Sequence, residues 1–469
     1  MSTQRRVVLI LAVVAIVVLA GLLSYVVLTP SSSKPNSSPP PGVASCPKSP
    51  GPTAGGNWTT YHQNNFRTGF EPTANISAVS ATWKNPTALD GDVYAEPLVC
   101  GSTVYVATEQ NSVYAVNATN GNVLWRTNLG APVPGSALPC GDIDPSGITS
   151  TPVIDGATGV LYAVAYLNDP LRHVLFGLNV DTGTVVSTVT VDPPGADVAA
   201  QQERGALGLA NGYIYVPYGG LYGDCGQYHG WVVGAPVSGL GPLISYMVPT
   251  QREGAIWGTA GMAFATNGDL YVSTGNGASD TTFDYGDAVI ELSPTLSPLS
   301  YFAPTDWATL NRDDTDLGSV APTVLPDGNV FQIGKGGVGY LLSGTELGGI
   351  GGDIFNNSVC AGAYGGTAVV GDSILVPCVD GVYDVHTNAT NFTVAWQSVG
   401  FDSGSPIVTG NVVWAVDLSN GDLRGFSLLN GTQLFSLPTS SVDHFISPTA
   451  APGALFVGAG SNLFAFSLS

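Results

Sequence analysis

The chain has 469 residues, of which only 10% are charged, against about 25% in an average soluble domain. The formal net charge is −21 with Lys present only four times, so the chain offers a phosphate backbone little to bind and nucleic acid is excluded as a partner. Five scattered histidines show no zinc-ligand spacing, which excludes a zinc-built module as well.

Arg5 and Arg6 precede an uncharged apolar run from Val7 to Leu28. A bilayer takes about 20 residues to cross, and no small-residue cleavage site follows, so the run reads as a transmembrane signal anchor rather than a cleaved leader. The arginine bias assigns residues 1–6 to the cytoplasm and the body to the far side of the cytoplasmic membrane. Residues 29–56, rich in Pro, Ser and Gly, read as a tether. Candidate glycosylation sequons occur at Asn36, Asn57, Asn75, Asn117, Asn356, Asn388, Asn391 and Asn430.

From residue 57 to 469 one pattern repeats. A small-residue strand, a turn, an aromatic-centred strand, a polar loop and a third strand recur in order. The second strands are "VYVATE" at Tyr105, "LYAVAY" at Tyr162, "IYVPYG" at Tyr215 and "LYVSTG" at Tyr271. They continue with "VFQIGK" at Phe331, "ILVPCV" at Leu375, "VVWAVD" at Val413 and "LFVGAG" at Phe456. Eight such units predict an all-β, eight-bladed β-propeller preceded by one transmembrane helix. The last unit ends at Ser469 after three strands. "VSATWKNP", around Trp83, is the expected outer strand for it, a velcro closure that removes an open sheet edge.

Strand direction then sorts residues by face. The first two strands of a blade are antiparallel, so the start of the first and the end of the second meet on one rim of the central channel. Trp257 begins the first strand of blade four and Asn276 ends its second. Asp316 precedes the first strand of blade five and Lys335 ends its second. These four are expected on one rim, as are Glu96 and Glu109, which are alternative metal ligands. The same logic pairs Cys360 with Cys378 and Cys140 with Cys225, leaving Cys46 for Cys100. "DHF", at Asp443 and His444, enters blade eight on this rim as a structural pair.

"VYAVNATNGNVLWRTNLG", Val113 to Gly130, resembles the repeat of the pyrroloquinoline quinone (PQQ) propellers, with Ala115, Gly121 and Trp125 at the matching places. "NWTTYHQNNFRTGF", Asn57 to Phe70, is similar to the lead-in of that superfamily. The resemblance implies the propeller fold but leaves function open, because the superfamily holds both dehydrogenases and scaffolds such as the assembly lipoprotein BamB. Residues 254–343 resemble the PQQ-dependent alcohol dehydrogenases. There the resemblance implies Trp257 as the floor under the quinone and Asn276 as a calcium ligand. It implies Asp316 as base and metal ligand, and Lys335 as the contact to the quinone oxygens. The chain departs from those enzymes in having no adjacent cysteines and no C-x-x-C-H haem motif, and in offering only Asp224 where they use a glutamate. Two readings follow: a membrane-anchored scaffold binding a cell-envelope protein or glycan, and a PQQ- and Ca²⁺-dependent dehydrogenase acting on a small-molecule alcohol.

Overall fold

The computed structural model describes residues 56–469. These form eight sheets whose successive blade strands pair antiparallel, each with a short inner strand, as a propeller requires. All eight aromatic- or aliphatic-centred second strands fall where the repeat places them, from Thr103–Ala107 in blade one to Ala454–Ala459 in blade eight. Alternation explains their stability. In Ser112–Asn117 the burial runs almost unbroken, because both faces of a middle strand are covered by neighbouring blades. The outermost strands, such as Val185–Thr190, are exposed along their length.

Closure is by velcro. Val79–Ala81 pairs antiparallel with the last strand, Asn462–Leu468, in the register Val79↔Leu468 to Ala81↔Phe466. Trp83 follows this strand, and its indole Nε1 donates to Ala118 O of blade one at 3.1 Å. Trp125 does the same to Val180 O of the next blade at 2.9 Å, and Trp396 to Leu428 O at 3.0 Å. Each ring lies over a glycine of the receiving turn. A Cβ on Gly183 would stand 2.5 Å from Trp125 Cε3, and one on Gly431 2.4 Å from Trp396 Cε3. The two copies of the repeat that lack tryptophan, "NVDTGTVV" and "SLLNGTQL", are therefore receivers: their glycines take the ring of the preceding blade.

The lead-in, residues 57–71, has a role the sequence did not disclose. It crosses the ends of the inner strands and closes the channel on the face opposite the predicted rim. Trp58 bridges Val99 of blade one, Thr59 O accepts from Ile154 N, and Asn65 O accepts from Phe264 N. Phe70 pairs in parallel with Val408 of blade seven. Arg67 donates to Met262 O and Leu207 O, and His62 Nδ1 lies 2.8 Å from Thr367 O. Burial holds His62 down to a pKa of about 3, so it is neutral. Among the described residues, the lead-in therefore plugs the channel on that face.

Both disulfides expected from strand ends are present, Cys140–Cys225 and Cys360–Cys378. Cys100 is also disulfide-bonded, and Cys46, its expected partner, lies outside the described residues. So do the anchor at 7–28, the tether up to Gly55, and Asn36. Among the described residues, no helix is long and apolar enough to cross a membrane. Asn75, Asn356, Asn388 and Asn430 are exposed, Asn117 and Asn391 half-buried, and Asn57 buried with its Oδ1 accepting from Gly101 N.

Candidate functional site

Trp257, Asn276, Asp316 and Lys335 line one cavity of about 510 Å³ at the open mouth of the channel. Their convergence has local causes. Gly275, just past the second strand of blade four (Leu270–Ser273), lies between Asp316 and Trp257, where a Cβ would come within 2.8 Å of Asp316 Oδ1 and 3.1 Å of Trp257 Nε1. Glycine lets that strand end pack into the corner, and Asn276 N then donates to Asp316 Oδ1 at 2.9 Å. Gly334 does likewise beside Lys335, where a Cβ would stand 2.4 Å from Asp316 O.

Asp316 Oδ2 meets Lys335 Nζ at 2.8 Å, and Asp314 Oδ1 meets the same nitrogen at 3.1 Å. Lys335 Nζ also stands 5.6 Å from the centroid of the Trp257 ring, within cation–π range. Burial pulls the lysine's pKa down, but Asp316 and Asp314 pull it further up, so it stays charged. Burial raises the Asp316 carboxyl above the ordinary carboxylate range, and the Lys335 charge offsets part of this.

Behind the pair lies a residue that sequence reading passed over. Asp287 is fully buried, and its Oδ1 accepts from Leu317 N at 2.9 Å. Burial, then the Asp316 charge, pushes it well above the carboxylate range. It fixes the turn that carries Asp316.

The opposite wall also went unpredicted. Tyr364 from blade six and Phe445 from the entry to blade eight stack at 5.9 Å with 17° between their planes. Phe445 lies 5.9 Å from Trp257, and Tyr364 lies 6.3 Å from it. Phe445 adopts φ 68°, a strained conformation for a bulky residue. Arg204 places its guanidinium 5.6 Å from the Phe445 ring centroid. His444 completes this wall, and burial, then the Arg204 charge, lowers its pKa. The only sequence signal was "DHF" itself, which strand logic brought to the right rim without assigning it a surface. The Leu221–Asp224 loop forms a third wall, tied back by the Cys140–Cys225 disulfide.

Glu96 and Glu109 are buried inside the channel rather than in the cavity. Trp58 Nε1 donates to Glu96 Oε1 at 2.5 Å and His62 N to Oε2 at 2.9 Å, so this acid anchors the lead-in. Glu109 Oε2 accepts from Gly147 N at 2.5 Å.

The fold and the site together define an eight-bladed β-propeller with a cavity at one rim of its channel. A family model described as outer membrane protein assembly factor BamB matches residues 73–223. No curated protein matches the chain by sequence. Among solved structures, the quinohemoprotein alcohol dehydrogenase of Pseudomonas putida HK5 superimposes with a TM-score of 0.70 at 14% identity, over 88% of this chain and 80% of that one. A europium-containing methanol dehydrogenase gives 0.67 at 16% identity, over 88% and 98%. BamB from Moraxella catarrhalis gives 0.56 at 12%, over 83% and 98%. At these identities the likeness is one of fold.

Proposed function

We propose that the rim cavity binds a flat small molecule of the PQQ class, on an exported propeller held at the cytoplasmic membrane by residues 7–28. The observation that carries this is the convergence of four side chains, from two blades, on one cavity with an aromatic wall and a cation. A planar ring fits the Trp257 face, and the indole, Phe445 and Tyr364 exclude water from it. Bound PQQ would supply a two-electron acceptor for an alcohol. Lys335 would orient the ring oxygens, and Asp316, 2.8 Å from Lys335, would hold or take a proton.

Calcium fits less well. Asp316 Oδ1 already accepts from Asn276 N and Oδ2 from Lys335, and a cation bound there would meet the charge of that lysine. Ca²⁺ takes six to eight oxygens, and among the described residues the one close cluster of possible ligands is Cys360, Cys378 and Asp380, whose cysteines are bonded to each other.

A second reading, a scaffold for a cell-envelope protein or glycan, draws on the BamB family match and on exposed apolar side chains of outer strands, such as Val186 and Leu124. Titration of the full-length protein with PQQ, read by tryptophan fluorescence, separates the two. Saturable quenching lost in Trp257→Ala supports the cavity reading. No saturable change in the intact protein rejects it and favours the scaffold.

A further inference from the structure

Of the two cations in the cavity wall, the sequence pointed to Lys335, yet that ammonium is already committed. Asp316 and Asp314 hold it at 2.8 and 3.1 Å, so a further anion would compete with two carboxylates in place. Arg204 stands differently. Its side chain is only 11% exposed, and the sole carboxylate within 4 Å of it among the described residues is Asp142, at 3.9 Å. Its one hydrogen bond to a neighbouring side chain is from Nη2 to Gln202 Oε1 at 3.2 Å. His444 draws on the same Asp142, 3.7 Å away. A desolvated guanidinium with donors left over and a loose counter-ion is ready for a planar oxyanion, which its fork can bind through two parallel bonds.

We propose that Arg204 is the anion anchor of the cavity, and that the ligand is a flat ring carrying a carboxylate on its Phe445 side. This rests on the cavity reading above and adds the ligand's charge and orientation to it. The ring lies against Trp257 and Phe445, whose centroids are 5.9 Å apart. The carboxylate reaches Arg204, and the opposite edge of the ring meets the Lys335–Asp316 pair. With Asp314 alongside, that cluster holds two carboxylates to one ammonium, so it suits a neutral hydrogen-bonding group better than a second anion.

The test is calorimetric titration of the full-length protein with three probes: PQQ, its trimethyl ester, and naphthalene-2,6-dicarboxylate. The variants are Arg204→Gln, Arg204→Lys and Lys335→Gln. Loss of a charge-assisted bidentate contact corresponds to roughly a ten- to hundredfold weakening. We expect that loss for both acids in Arg204→Gln, a smaller loss in Arg204→Lys, and little change for the ester in either. Lys335→Gln should weaken the acids less than Arg204→Gln does. Acid affinity retained in Arg204→Gln, or a greater loss in Lys335→Gln, overturns the inference while leaving the cavity reading in place. Tighter binding of the ester than of the acid does so too. If none of the three probes binds the intact protein, both fall together.

Discussion

Glu96 is the residue on which pH dependence bears most directly. It is buried where the lead-in enters the channel, and burial pushes its pKa up to about 8 despite bonds from His62 N and Trp58 Nε1 and the Arg67 charge. In the unfolded chain it titrates near the ordinary 4.5. A raised carboxyl contributes stability fully present below the unfolded value and lost as pH climbs to the folded one. The interval from 4.5 to about 8, at about 1.4 kcal/mol per pH unit, comes to about 5 kcal/mol as a ceiling. Glu96→Gln keeps an acceptor for Trp58 and removes the titration. Urea unfolding of both proteins from pH 4 to pH 9 should therefore show the wild type losing stability relative to the variant across pH 4.5–8. The gap should level off above that range. Parallel curves, or a wild type that gains on the variant as pH rises, would refute the reasoning.

Four other predictions concern the walls and the blades. The double variant Cys140→Ser/Cys225→Ser frees a loop closed over 85 residues. This should lower stability by about 4.5 kcal/mol on chain-entropy grounds and weaken cavity ligands more than Cys360→Ser/Cys378→Ser does, as paired unfolding and binding curves will show. Gly183→Val puts a branched side chain at φ 69° against the Trp125 ring. A loss of about 2–4 kcal/mol in unfolding free energy is expected, because both backbone strain and ring displacement add. Asp287→Asn keeps the acceptor for Leu317 N and removes an acid whose charged form burial disfavours, and should leave stability at pH 7 unchanged or higher. Asp316→Ala removes a carboxylate only 7% exposed from its lysine and should cost about 3 kcal/mol, which differential thermal unfolding will resolve.

The blades were legible because each strand declares itself locally, with an aromatic or branched residue flanked by turn residues. The closure at Trp83 was legible because a strand was missing at the other end. Trp257, Asn276, Asp316 and Lys335 were placed by strand direction alone, which needs no side-chain detail. Arg204, Tyr364 and Phe445 were not, because they reach the cavity from three further blades and no short motif joins them. The plug was hidden for a similar reason. Residues 57–71 bond to blades one to four and six to eight through isolated backbone and side-chain groups, and their polar sequence looks like a loop. Burying His62 and Arg67 there runs against what their residue types suggest, and only the ring of inner-strand carbonyls around them makes it tolerable.

The claim that matters most is that a flat ligand sits in the rim cavity. Backbone hydrogen exchange of the full-length protein, with and without saturating PQQ, tests it by location. The account predicts slowed exchange confined to the segments around Leu221–Asp224, Ala255–Trp257, Asn276 and Asp314–Asp316, with the outer strands and the lead-in unchanged. Protection spread over the outer strands, or none anywhere, would contradict it.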